Sequence, residues 1–308
     1  MKLVRFADAA GTIKPGVLTD AGVIDVSAAT ADLEAYTPQR LMESIIDHFD
    51  LLRPEFDLLV ASGPALSLDR VQLRPPLPRP SKILCCIGNY WEHAQAERPP
   101  RNLNMFLKSP DAVIGPGDTV HLPAWTDPYT YQHEAELALV FRGPSHDVIQ
   151  DNWKSAVFGY TLMIDVSARE KARSTWRQGS WMGKSFDTFA PIGPCIVTAD
   201  EIAEPNSIHI QFWNGGQLRH DYNTDDMEHQ VPELVEFATG IMTMNSGDLL
   251  SCGTNHEGLG NLQDGETCVI EGEGIGSFTI NVTDPLKREW ERGIYQGQNS
   301  TYRGPATT

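Results

Sequence analysis

The sequence predicts an α+β protein that is mainly β: a barrel-like or folded-sheet domain behind a small N-terminal unit. Three observations carry this. From Ile83 onward, short apolar runs such as "ILCCIG", "ELALVF", "FGYTLMIDV", "APIGPCIV", "IHIQFWNGG" and "SFTINV" are separated by Gly, Pro and Asp turns at strand-like lengths. Helical periodicity is confined to a few segments. The stretch "LRPPLPRPSK" (73–82) places four prolines in ten residues, which predicts an extended spacer between the two parts.

Residues 1–72 form the N-terminal unit. Short strands are expected over 1–28 ("LVRFA", "GTIKPGVL", "GVIDVS"). A helical stretch follows over 38–63, with Leu41, Ile45, Phe49 and Leu52 at helical spacing and a break at Pro54. Residues 83–285 form the main domain, with one helix near 231–243 ("VPELVEFATGIMT") and another opening at Ser167. Residues 286–308 read as a polar, peripheral tail.

Composition limits what the protein does. A net charge of −17 over 308 residues argues against nucleic acid or an anionic membrane as a partner. It also means that an anionic substrate needs a local cationic centre. No apolar run approaches the roughly 20 residues of a membrane span, and "MKLVRFADAAGTIKPG" lacks the apolar core of an export signal. The five cysteines (Cys85, Cys86, Cys195, Cys252, Cys268) form no CxxC pair and suit buried thiols in a reducing, cytoplasmic setting.

The stretch "YTYQHEAELALVF" (129–141) sets the chemical question. Side chains alternate along a strand, so Glu134 and Glu136 point the same way, and like charges that close raise each other's pKa unless something positive or a shared proton intervenes. Asp165 in "GYTLMIDVSARE" ends an apolar run and is the next candidate. Three carboxylates without His or Cys form a hard-oxygen set for Mg²⁺, Mn²⁺ or Ca²⁺ rather than zinc. The same residues also read as a solvated strand face with Asp165 as a helix N-cap. In "NYWEHAQAE", His93 and Glu97 stand four apart, a spacing that lets a carboxylate orient an imidazole as a water-activating base, or that forms a surface contact. Lys108, at an expected strand end, and Lys184, in "WMGKSFDTFAPIGP", are candidate cations for an anionic intermediate or plain surface charges.

Taken in order, "IGNYWEH", "MFLKSPDAVIGPGDTVHLP", "HEAELALVF", "GYTLMIDVSARE", "GKSFDTFAPIGP", "SGDLLSCGT" and "DGETCVIEGEGIGSFTINV" resemble the fumarylacetoacetate hydrolase family over roughly residues 83–283. The resemblance implies a fumarylacetoacetase C-terminal-like mixed β-roll, a homodimer, and one divalent metal per subunit on Glu134, Glu136 and Asp165. It implies Lys184 as the lysine that holds substrate and charge, Thr254 as a contact for the substrate carboxylate, and His93 with a nearby glutamate as the base. Tyr90, Lys108, Arg169, Asn255 and His256 are the further expected substrate contacts.

The chain departs from the family pattern in places. Ala96 stands where the family has a glutamate three residues after the histidine, and Glu97 lies one further on. The family's "GTP" is here "GTNHEGLG" (253–260), so Asn255, His256 and Glu257 either read the substrate or form an exposed loop. Ile164 replaces a frequent asparagine before Asp165. "GEGIGS" (272–277) reads as a turn between strands rather than a phosphate loop. The expected activity is a Mg²⁺-dependent hydrolase cleaving a C–C bond in a 2,4-dioxo acid through an enolate. A 2-oxo acid decarboxylase or tautomerase, a hydratase of a 2-hydroxy-dienoate, and a non-catalytic keto-acid binder are the alternatives.

Overall fold

The computed structural model describes residues 1–92, 98–126, 128–170 and 182–290. The chain begins with β1 (Lys2–Ala7), β2 (Ile13–Thr19) and β3 (Gly22–Asp25), an antiparallel meander centred on β2. Helix α1 (Pro38–Asp47) starts where Thr37 accepts a hydrogen bond from the Arg40 N–H and Pro38 occupies the first turn, where its missing N–H costs nothing. Helix α2 (Phe49–Ser62) follows directly. The expected break at Pro54 falls instead at His48, between the two helices, and Pro54 sits inside α2. The carbonyl that Pro54 leaves without an intrahelical partner belongs to the exposed Asp50 at the helix start.

Strand β4 (Gln72–Arg74) returns antiparallel to β1. The proline-rich stretch therefore begins within a sheet, and it continues packed, with Pro75, Pro76 and Leu77 buried. Beyond it come β5 (Ile83–Cys86), β6 (Met105–Lys108), β7 (Val113–Ile114), β8 (Thr119–His121), β9 (Pro128–Gln132), β10 (Ala135–Phe141) and β11 (Val157–Ile164). Next are β12 (Ser167–Glu170), β13 (Ala190–Thr198), β14 (His209–Asn214), β15 (Gln217–Asn223), α3 (Val231–Ile241), β16 (Leu249–Ser251), β17 (Thr267–Gly272) and β18 (Gly276–Thr283). Helix α3 lies where the sequence places it, and the β17–β18 connection is the turn expected at "GEGIGS".

The helix expected to open at Ser167 is strand β12, paired antiparallel with β9 in the register Ser167↔Gln132 and Arg169↔Thr130. A neighbouring strand supplies backbone partners there. The Ser167 hydroxyl donates to the Asp165 carbonyl at 3.1 Å and to Glu134 Oε1 at 3.2 Å.

A large mixed sheet runs β3-β2-β1-β13-β11-β10-β16-β5-β6, with β4 on β1 and β7 on β13. A second sheet runs β15-β14-β17-β18-β8, and β9 with β12 forms a short ribbon. The pairing Leu3↔Ile196 joins the N-terminal meander to the main sheet. Burial explains the sequence pattern of each sheet. Every residue of β10 and β11 is buried, so these strands read as continuous apolar runs. β17 and β18 alternate buried and exposed positions because one face meets solvent. At Gly159 of β11 a Cβ would lie 2.2 Å from the Val197 carbonyl oxygen, so the approach of β11 to β13 requires glycine. All five cysteines are free and buried. At the C-terminal end Arg288 bonds Asp284 at 2.8 Å and stacks over Tyr131, so the first part of the polar tail is anchored.

Leu162 of β11 is fully buried and faces Gly272 of β17, which makes it a contact between the two sheets. Leu162→Ala should cost about 2–5 kcal/mol of stability, read as a lower urea midpoint with an unchanged slope.

Candidate metal centre and active site

The β10–β11 ladder brings the three acids together. Glu136 points from β10, Glu134 precedes its first residue, and Asp165 follows the last residue of β11. The Asp165 N–H donates to the Glu134 carbonyl at 2.8 Å, which extends the ladder by one step and turns both side chains into the same space. All three are buried, with carboxylate oxygens within 4.8 Å of one another, a cluster that could hold a metal ion. The reading of Glu134 and Glu136 as a solvated face is thereby set aside by burial.

Among the described residues, three cations surround them. Lys184, delivered by a 3₁₀ turn (Met182–Lys184), places Nζ 2.6 Å from both Glu134 Oε2 and Asp165 Oδ2, and stacks over Phe106 at 5.3 Å. Lys108, at the end of β6 as expected, donates to Asp165 Oδ1 at 2.6 Å and to the Lys184 carbonyl, so one buried ammonium sets both the acid and the turn. Arg169 of β12 bonds Glu134 and donates from Nε to Gln132 Oε1 at 2.8 Å. Three formal negative charges thus meet three positive ones in a dry setting, where an unpaired charge would be costly.

The compensation is uneven. Burial works against ionised Glu134, but Lys184 and Arg169 outweigh it and hold its carboxyl well below the usual range. Burial would likewise lower Lys184, and Asp165 with Glu134 hold it above the usual lysine value. Glu136 differs. It accepts from the Ser251 hydroxyl and from the Gly253 N–H at 3.1 Å, without a cationic side chain bonded to it among the described residues. Burial, Asp165 and Glu134 push its carboxyl well above the usual range. A hard divalent cation at this cluster would supply the positive charge that Glu136 lacks, so the donor set fits such an ion. Gly253 has φ +86°, a conformation glycine adopts readily, and that bend aims its N–H at Glu136.

The other expected residues gather nearby to different degrees. Tyr90 is fully buried, edge-on to Tyr222 at 5.0 Å. Thr254 is buried, with Oγ1 3.4 Å from the Asn255 carbonyl. Asn255 donates from Nδ2 to Asp226 Oδ2 at 2.9 Å. His256 meets Glu92, with Nδ1 2.7 Å from Oε1. His93 and Glu97 lie outside the described residues. Sequence reasoning missed Ser167, Ser251, Gln132, Glu92 and Asp226. Glu92 alone carried a signal, as a carboxylate beside a candidate histidine, and its partner lies 164 residues away.

The profile described as "Fumarylacetoacetate (FAA) hydrolase C-terminal" matches residues 82–283. The chain belongs to the fumarylacetoacetate hydrolase family, with the mainly β, α+β fold of its members. It is 30% identical to a maleylpyruvate hydrolase of Aquipseudomonas alcaligenes over 92% of this chain and 99% of that one. It is 35% identical to an oxaloacetate tautomerase of Bacillus subtilis over 61% of this chain and 63% of that one. Among solved structures, the maleylpyruvate hydrolase of Sphingobium sp. SYK-6 in complex with manganese(II) and pyruvate is 32% identical. It aligns with a TM-score of 0.80 over 92% of this chain and 99% of that one.

The uneven compensation gives opposite expectations for two glutamates in metal-free protein. A depressed folded pKa means that Glu134 contributes stability in full above the ordinary value near 4.5 and loses it as pH falls through the folded value. A raised folded pKa means that ionised Glu136 opposes folding at neutral pH. In EDTA at neutral pH, Glu134→Gln should cost about 3 kcal/mol by urea unfolding, and Glu136→Gln should be neutral or stabilising.

Proposed function

We propose that this chain is a divalent-metal-dependent hydrolase that cleaves a 2,4-dioxo acid of the acylpyruvate type, breaking the bond between the methylene and the distal carbonyl. The observation that carries the reading is the convergence of Glu134, Glu136 and Asp165 with Lys184 in one buried cluster. Similarity to maleylpyruvate hydrolases across nearly the whole chain supports the same reading.

Glu134, Glu136 and Asp165 would hold the ion, with Mg²⁺ the cellular metal and Mn²⁺ able to replace it. When bound, the metal supplies positive charge that polarises the 2-oxo acid oxygens and favours the enolate. The chain's own residues do the rest. Lys184, kept protonated by its two acidic neighbours, neutralises the negative charge that develops as the C–C bond breaks, a contribution of a few kcal/mol, on the order of that from a fixed donor at an oxyanion. Lys108 touches no substrate in this reading; it positions Asp165 and the turn bearing Lys184. Arg169, partly exposed beside Glu134, and Thr254 receive the substrate carboxylate.

A second reading is favoured by relatives named oxaloacetate tautomerase in Bacillus subtilis and Xenopus laevis. Tautomerisation uses the same enolate and proton transfer, without attack by water.

Product analysis by NMR on acylpyruvates and oxaloacetate, with Mg²⁺, Mn²⁺ or EDTA, separates the two. Metal-dependent pyruvate plus a carboxylic acid is the expected outcome; keto–enol interconversion of oxaloacetate alone would replace the hydrolase with the tautomerase. Glu136→Gln should lower kcat at least a thousandfold while the far-UV spectrum and melting temperature hold. Turnover within tenfold of wild type would overturn the metal assignment.

A further inference from the structure

An imidazole–carboxylate pair stands beside the acid cluster, assembled from two distant loops. Glu92 Oε1 accepts both from the His256 backbone N–H at 3.1 Å and from Nδ1 of the same residue at 2.7 Å. One carboxylate oxygen therefore fixes the ring and its tautomer: Nδ1 carries the proton, and Nε2 presents a lone pair. The arrangement is the one that makes an imidazole a base in hydrolytic enzymes.

The pair is built rather than incidental. The Glu92 side chain is 3% exposed and that of His256 20%, so the carboxylate is inside and the ring reaches solvent-accessible space. Glu92 has φ +57°, a left-handed conformation that is uncommon for a residue with a side chain. Asp226 holds that conformation, since its Oδ2 accepts from the Glu92 N–H at 3.1 Å and from Asn255 Nδ2 at 2.9 Å. A single aspartate thereby ties one member of the pair, Glu92, to Asn255, the residue before the other. Residues 253–256 connect the pair to the acid cluster: Gly253 N–H bonds Glu136, and three residues later His256 bonds Glu92.

We infer that His256, oriented by Glu92, is the proton-transfer group of this site, an inference that rests on the hydrolase reading for its full sequence of steps. Water gives a proton to His256 Nε2 as its oxygen bonds to the distal carbonyl carbon. The C–C bond then breaks, its electron pair passing to the methylene carbon as an enolate. Nε2 returns the proton to that carbon. The products are a carboxylic acid and pyruvate, and neither oxidant nor reductant is consumed. Glu92 is a positioning residue: it meets the ring and not the substrate.

The test uses His256→Ala, His256→Gln, Glu92→Gln and Glu92→Asp in full-length, Mn²⁺-loaded protein, with melting temperature and Mn²⁺ affinity by calorimetry as controls. Two rates are read: acylpyruvate hydrolysis, and exchange of the pyruvate methyl protons in D₂O, which requires enolate proton transfer alone. Both His256 variants should lose at least a hundredfold in kcat for hydrolysis and in exchange, with Mn²⁺ affinity within threefold, since a positioned acid–base group contributes about 10²–10⁴. Added imidazole should restore part of the His256→Ala rate. Glu92→Gln should lower kcat with KM unchanged, and Glu92→Asp should recover part of it. His256 variants that keep both rates within threefold of wild type overturn the inference, all the more if His93→Gln abolishes them. Wild-type protein that exchanges pyruvate protons without hydrolysing any acylpyruvate overturns the hydrolase reading alone, and the exchange rate of the His256 variants still decides the dyad. Wild type that does neither overturns both.

Discussion

Three carboxylates in a dry interior are tolerable only because cations come with them, and several elements of the fold converge to deliver those cations. Lys184 bridges Glu134 and Asp165, Lys108 holds Asp165 and the turn that carries Lys184, and Arg169 covers the outer oxygen of Glu134. Each arrives from a different element: a 3₁₀ turn, the end of β6 and strand β12. Without them burial would push every acid toward its neutral form, and a neutral acid is a poor ligand for a hard cation. Glu136, the acid with no cationic side chain bonded to it among the described residues, makes the cluster receptive to an ion rather than a closed salt-bridge network.

The sheet topology follows from the same requirement. β10 and β11 are buried on both faces, which gives the acids a rigid base and excludes water. The N-terminal meander continues the main sheet through β1 and β13, and β13 is also the partner of β11, the strand that Asp165 follows. β1 is thus two strands away from β11, and no residue of 1–72 bonds Glu134, Glu136 or Asp165.

Around this rigid base the loops carry the variable chemistry. Residues 253–256 make contacts in opposite directions, a backbone N–H to Glu136 and an imidazole to Glu92. A change in that loop would disturb the acid cluster and the imidazole–carboxylate pair together. This chain's polar "GTNHEG" sequence makes both contacts where the family pattern commonly has proline.

The local part of this protein could be read directly from the chain. Glu134 and Glu136 fall on one face because a strand has period two, and Asp165 ends a run that only a buried strand explains. The basic character of Lys108 and Lys184 was visible as well. Local pattern failed at Ser167, where the residue expected to open a helix lies in a strand because β9 supplies its backbone partners, and at Pro54, which a helix accommodates near its exposed start. Tertiary structure alone decided which charge meets which: Lys108 with Asp165 across 57 residues, Ser251 with Glu136 across 115, and His256 with Glu92 across 164. Periodicity and propensity describe what a residue does with its near neighbours along the chain. Charge pairing in a low-dielectric interior depends on ångström-scale distances that exist only once the sheets have folded together.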